Sequence, residues 1–407
     1  MVTFFLLIIY LAFISLGLPD SLLGSAWPIM QGDLGAPLGT AGVLYMIVAA
    51  GTIVSSLASG AVLRRFGIGK VTLISCLMTA AALLGYSASP SVFWLGVCAI
   101  PLGLGAGSVD AGLNNYVAAH YKAHHMSWLH CFWGVGATLG PVIMAGFISG
   151  GGHWRNGYFT VSIIQFALVV ILFFTLPLWD RVAQAAGDSR KEELSEQEAA
   201  QSDAGPVRPL RIPGVKLALV SFLFYCGVEA TVGLWGSSYL VGIKGIDAGT
   251  AASWVSMYFA GITVGRFIAG FVTFKVSNRV MIRTGQITAL VGAVLLILPL
   301  PAVLSLIGLL VIGLGLAPIY PCMLHETPVR FGKQSSQTIM GYQMAVAYTG
   351  STFMPPLLGF LASHTSIGVF PLYIVLSAAA MWLFSERLNV FLKARSRAAE
   401  GSIISRP

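Results

Sequence analysis

Charge is what this chain of 407 residues is short of: Asp, Glu, Lys and Arg make up 9% of it, where soluble globular proteins carry about 25%. With 56% of residues hydrophobic, that deficit excludes a water-soluble fold. The chain reads as a polytopic, all-α membrane protein with room for about twelve helices at roughly 20 residues per span. Cysteine is scarce as well. Cys76, Cys98, Cys131, Cys226 and Cys322 stand singly in apolar segments, which indicates neither a metal site nor a disulfide framework and leaves small buried hydrophobes. No G-x-x-x-x-G-K-[ST] loop is present, so ATP-driven transport has no candidate motif. No H-E-x-x-H or G-x-S-x-G motif offers a hydrolytic site, so no enzyme is expected, and there is no TVGYG filter for a channel. A basic n-region is missing before the first apolar run, which reads as a span rather than a cleaved signal.

What is present is a rhythm of apolar runs. The expected spans are 2–30, 38–63, 71–89, 92–120, 126–149 and 157–179, then 213–242, 248–274, 279–298, 302–328, 336–362 and 367–390. This divides the chain into a six-helix bundle at 1–179, a polar linker at 180–212, a second six-helix bundle at 213–390 and a tail at 391–407. The linker, with GDSRKEELSEQEAAQSDAGPVRP, is expected to be solvated, with at most a short surface helix. The formal charge of +8 does not point to nucleic acid, because 20 of the 23 Lys and Arg residues fall on one side of this topology. That side, which holds both termini and the linker, is expected to be cytoplasmic.

Two glycine patterns recur at one offset. Shifted by 210 residues, Gly51 and Gly60 fall on Gly261 and Gly270, and Gly103 and Gly105 fall on Gly313 and Gly315. One shift that aligns two separate segments points to a parallel duplication of six-span halves.

Against this apolar background Asp20, Asp110, Glu229 and Glu326 fall within spans, with Arg266 as a basic counterpart. Carboxylates at membrane depth are costly and are retained for function, facing protein or water. Gly17 and Pro19 are expected to break the first span beside Asp20. Helical spacing puts Asp20 with Trp27, Asp110 with Asn114, and Tyr225 with Glu229 on shared faces. Asp20, Asp110 and Glu229 are the candidate proton-coupling groups. Candidate substrate contacts are Asn114, Asn115, His130, Trp133, Trp27, Tyr225, Trp235, Gln337 and Tyr348, since flat aromatic faces beside hydrogen-bonding groups suit a sugar ring. The alternatives are satisfied structural groups for the acids and an interfacial belt for the aromatics. For Glu326 the structural reading is preferred, and Arg266 is read as its partner or as a structural pin, not as a substrate contact.

Three segments carry a resemblance to a known family. FLFYCGVEATVG around Glu229, GLGAGSVDAGLNNYV around Asp110 and GLPDSLLG around Asp20 resemble the fucose–galactose–glucose proton symporters, fucose permease-like members of the major facilitator superfamily. FGKQSSQ with Pro355–Pro356 is similar to that group's tenth-to-eleventh connection, and HWRNGYF resembles the common superfamily entry into the sixth span. GAVLRRFGIGK departs from the superfamily pattern by placing Arg64 where Asp is usual, and His130 stands where the family has an amide. The resemblance implies the twelve-helix major facilitator fold, proton-coupled uptake of a monosaccharide by alternating access, and Asp20 and Asp110 as proton and substrate acids. No cofactor is expected. Sodium stays open as the coupling ion, because carboxylates with backbone carbonyls bind either. The expected partners are the lipid bilayer and a small solute, with no nucleic acid, in a monomer of the cytoplasmic (inner) membrane. The competing expectation is a proton-driven exporter of amphipathic compounds.

Overall fold

The structure, a computed structural model, describes the backbone of residues 2–121, 123–201, 209–299 and 301–404. Side chains at 2–4, 115, 118–120, 123–124, 126–127, 180–201, 209, 333–334, 337 and 396–404 stand outside the description. Long helices follow one another and no strand occurs among the described residues. The first half comprises α1 (Val2–Asp20), α2 (Leu22–Asp33), α3 (Thr40–Phe66), α4 (Ile68–Ser87), α5 (Val92–His120), α6 (Ala123–Ser149) and α7 (Trp154–Gln201). The second comprises α8 (Val215–Gly242), α9 (Ala248–Val272), α10 (Asn278–Ile297), α11 (Ala302–Leu316), α12 (Ile319–Phe331), α13 (Lys333–His364) and α14 (Phe370–Ile404). Eleven segments are long and apolar enough to cross a bilayer, with α1 and α2 together forming one and α11 and α12 another, and the 32-residue α13 is a twelfth long helix.

Two of the spans are broken, each at a proline. Pro19 has no N–H for the carbonyl of Ser15, four residues earlier. That carbonyl is taken instead by Gln165 of α7, whose Nε2 donates to it at 2.5 Å. The break between α1 and α2 agrees with the sequence reading. The second break, at Ala317–Pro318 between α11 and α12, lies inside a segment read from sequence as one continuous span. A further difference concerns the polar stretch after residue 179: α7 runs on to Gln201, so the expected linker begins as a continuation of the sixth span's helix.

Close helix contacts explain three of the four repeated glycine pairs; Gly60 and Gly270 have no tight contact. A Cβ on Gly103 would strike the Val48 carbonyl of α3, and one on Gly313 would strike the Tyr258 carbonyl of α9. Gly105 and Gly315 are likewise pressed against the carbonyls of Ser75 and Gly285, while Gly51 and Gly261 face the amides of Leu104 and Leu314. Each of these opposing residues is related to its counterpart by the same 210-residue offset. Backbone contact at this range admits only glycine. The α3–α5 seam of the first half is therefore rebuilt as the α9–α11 seam of the second.

The halves meet firmly at one end of the bundle, the end bearing loops 34–39 and 243–247. There Gly24 of α2 lies against the backbone of Gly233 and Leu234 in α8, and Gly42 of α3 lies against Pro356 of α13. The Gly39 amide donates to Ser363 Oγ at 3.0 Å, and Ser256 Oγ donates to the Thr138 carbonyl at 3.0 Å. At the same end Asp247 caps α9. It accepts from the Thr250 amide at 2.9 Å, and hydrogen bonding from the Thr250 side chain and then from this amide holds its carboxyl below the usual carboxylate range.

Candidate functional site

Asp20 ends α1 at the break, so its side chain does not follow the helical face of the residues beyond. The helix pair it belongs to is enclosed, α1 packing on α4, α5, α6 and α7, and α2 on α3, α6, α7, α8 and α9. Asp20 is nevertheless exposed, between Leu18 at 3% and Leu22 at 0%. Exposure on an enclosed helix pair means that the carboxylate opens on an interior space. On one side of it Gly24 and Gly42 hold the two halves in backbone contact, and the opposite end of the bundle carries Arg64 and Arg65.

From Asp20 a closed circuit of side chains runs through both halves. Trp133 of α6 donates its indole N–H to Asp20 Oδ2 at 2.9 Å. The Arg266 guanidinium of α9 sits 5.4 Å from the centroid of the Trp133 ring, a cation–π separation. Arg266 Nη2 donates to Glu229 Oε1 at 3.1 Å and to Oε2 at 3.4 Å, and also to Tyr225 Oη at 3.3 Å. The Tyr225 hydroxyl in turn donates to Glu229 across one turn of α8. Tyr225 and Tyr320 of α12 have ring centroids 6.1 Å apart, and Tyr320 and His130 of α6 lie 6.2 Å apart. His130 and Trp133, three residues apart on one side of α6, close the loop. Phe13 of α1 meets the His130 ring edge-on at 6.1 Å.

Asp110 lies outside this circuit, half-buried and fully engaged. Its Oδ1 accepts from Asn114 Nδ2 at 2.8 Å, and its Oδ2 accepts from the Tyr348 hydroxyl of α13 at 3.4 Å. The helical pairings read from sequence, Asp110 with Asn114 and Tyr225 with Glu229, are both hydrogen bonds.

Other candidates fall elsewhere. Trp27, expected to share a face with Asp20, is fully buried in the core, because the break at Ser21 ends the α1 register before Trp27 is reached. Trp235 is equally buried and spends its indole N–H on the Pro355 carbonyl at 2.8 Å. The side chains of Asn115 and Gln337 lie outside the described residues. The reading of Arg266 as the partner of Glu326 is corrected: Glu326 pairs with Arg330 one turn on at 3.1 Å, while Arg266 pairs with Glu229. Tyr320 was missed altogether. It stands at the 210-residue offset from Asp110, so the internal repeat was the signal that pointed to it.

Two six-span halves related by a repeat, closed at one end around interior polar groups, define a membrane transporter. Residues 9–348 match the Major Facilitator Superfamily, and the chain belongs to it. It is a multi-pass integral membrane protein of a family of transporters, not enzymes. Among its relatives is the protein called bypass of stop codon protein 6 of Saccharomyces cerevisiae, 22% identical over 385 residues, which cover 88% of this chain and 77% of the relative. The cis,cis-muconate transport protein of Acinetobacter baylyi is 25% identical over 353 residues, covering 83% and 82%. The glucose/mannose transporter GlcP of Bacillus subtilis is 24% identical over 280 residues, covering 68% and 67%. A solved structure of the xylose transporter XylE from E. coli superposes with a TM-score of 0.74 over 94% of this chain and 96% of that one, at 15% identity. That likeness establishes the fold alone.

Proposed function

We propose that this chain is a proton-coupled symporter that carries a monosaccharide by alternating access. In this reading it works as a monomer in a cytoplasmic (inner) membrane with both termini inside, and it groups with the fucose permease-like symporters. The observation that carries the reading is Asp20: a carboxylate on an enclosed helix pair, open to interior water, with one oxygen bound to Trp133 and the other without a protein partner among the described residues. Such a group can take up and release a proton as the space around it changes access. The circuit beside it offers aromatic faces and hydrogen-bonding groups, the surface a pyranose presents in reverse.

Charge supports a neutral solute over a dianion of the muconate kind. Asp20, Asp110 and Glu229 outnumber Arg266 here, and the one cation is already paired. A site with this balance repels a second carboxylate unless protons accompany it. GlcP and XylE are named for sugars, which agrees with this reading. Polar groups at the centre weigh against an exporter of amphipathic compounds, whose cavity would be wider and more apolar. The sidedness of Lys and Arg supports a reading in which the end bearing Arg64 and Arg65 faces the cytoplasm.

Coupling needs proton and solute each to favour one conformer over the other. Liposomes holding the purified protein, given an inward proton gradient, are expected to accumulate labelled hexose, and a sodium gradient alone is not. Asp20→Asn is expected to retain hexose exchange and lose accumulation. A mutant that still concentrates sugar removes Asp20 from the coupling role.

A further inference from the structure

Arg266 is used by the protein on one nitrogen only. Its three hydrogen bonds, two to Glu229 and one to Tyr225, all leave from Nη2. A guanidinium has five N–H donors in a rigid fork. Neither Nε nor Nη1 has a protein acceptor among the described residues, and neither is sealed from solvent, although the side chain as a whole is only 11% exposed. Three donors are thus held at the interior of the bundle with nothing but solvent to receive them. Glu229 and Tyr225 hold one edge of the guanidinium, and its central carbon stands 5.4 Å from the centroid of the Trp133 ring.

The neighbouring groups show the same pattern. His130 keeps both ring nitrogens without a protein partner among the described residues, and Asp20 keeps one carboxylate oxygen. Asp110 and Glu229, by contrast, have both oxygens engaged. Spare hydrogen-bonding capacity therefore concentrates on Arg266, His130 and Asp20, around the half-buried Trp133. A buried donor left to loose water is replaced at a gain by a solute oxygen that fits it.

We infer that Arg266 is a specificity-determining residue, which anchors the solute by donating from Nη1 and Nε to its hydroxyl oxygens while Glu229 and Tyr225 act as positioning residues for the guanidinium. The cation serves as a pre-oriented donor rather than as a free charge, since Glu229 already answers its charge. Recognition by a fixed charged donor is selective. A solute lacking the hydroxyl that Arg266 holds leaves that donor unpaired in a closing site.

This inference rests on the sugar reading, and the test separates the two. Uptake of D-glucose and its monodeoxy analogues is compared in liposomes for the wild type and for Arg266→Lys, which keeps the charge beside Glu229 and loses the planar fork. In the wild type, at least one deoxy position is expected to raise KM by about ten- to a hundredfold. In Arg266→Lys the penalty at that position is expected to fall to within about twofold of the parent sugar, while penalties at other positions persist. A merely structural role would instead lower uptake of every sugar by one common factor, and that pattern overturns the inference while leaving the sugar reading intact. Absence of hexose uptake by the wild type overturns both. Should Arg266→Lys not fold, Tyr225→Phe, which frees one positioning contact of the guanidinium and keeps every candidate coupling group, takes its place: the penalty at that position is expected to shrink while the others persist, and an unchanged set of penalties overturns the inference.

Discussion

Tyr348 of α13 reaches across the division between the halves and donates its hydroxyl to Asp110 Oδ2 of α5 at 3.4 Å. In the proposed alternating-access cycle, rocking one six-span half against the other would lengthen or re-form such a contact, so the bond would weight the conformer in which it is made. A hydrogen bond to a charged acceptor contributes about 1.5–3 kcal/mol when short, and the length here sets the lower end. Tyr348→Phe is therefore expected to lower the population of this conformer by about tenfold relative to its opposite. Spin labels on α5 and α13 would report the change as a redistribution of inter-half distances. An unchanged distribution would show that the bond carries no weight.

Burial separates two ion pairs that look alike on a contact map. Arg266 and Glu229 have side chains 11% and 17% exposed, whereas Arg155 and Asp33 at the closed end are 31% and 32% exposed. Removing one partner of a buried pair strands a charge, at a cost of about 3–5 kcal/mol. An exposed pair is worth up to about 1 kcal/mol. Glu229→Gln is expected to lower the melting temperature in detergent far more than Arg155→Gln, and Glu229→Gln/Arg266→Gln is expected to recover much of the loss. If the double variant melts no higher than Glu229→Gln, the stranded charge is not the cause.

The fold was largely legible because a bilayer imposes length. Apolar runs of about twenty residues can be counted, and the helices fall within a few residues of the expected spans at most boundaries. The repeat was legible because backbone contact admits no side chain at Gly103 or Gly313. The site was legible only in part. Periodicity finds partners within one helix, as with Tyr225 and Glu229, but a pairing such as Glu229 with Arg266 joins α8 to α9 and depends on how the helices are rotated. Spacing also says which residues share a face, not which face looks inward; Trp235 follows Glu229 by six residues and is sealed against Pro355. The first span's break ended a register that Trp27 was assumed to follow.

One helical turn beyond Asp20, Gly24 packs α2 against α8. Its missing side chain lets α2 lie on the backbone of Gly233 and Leu234, and because the opposing atoms are backbone, no rotamer change can make room for a larger residue. Overpacking of a tight contact costs about 1–3 kcal/mol. In Gly24→Val that cost falls only on the conformer closed at this end, so the ratio of opposite-facing to present conformer is expected to rise by about five- to a hundredfold. Gly32 of the same helix meets nothing within 4 Å, and Gly32→Val serves as the control with no expected shift. Labels on loops 34–39 and 243–247 should move apart in Gly24→Val and stay in place in Gly32→Val. Equal distances in the two variants would mean that the seal above Asp20 is made elsewhere, and that the contact of Gly24 with α8 is a consequence of closure rather than its condition.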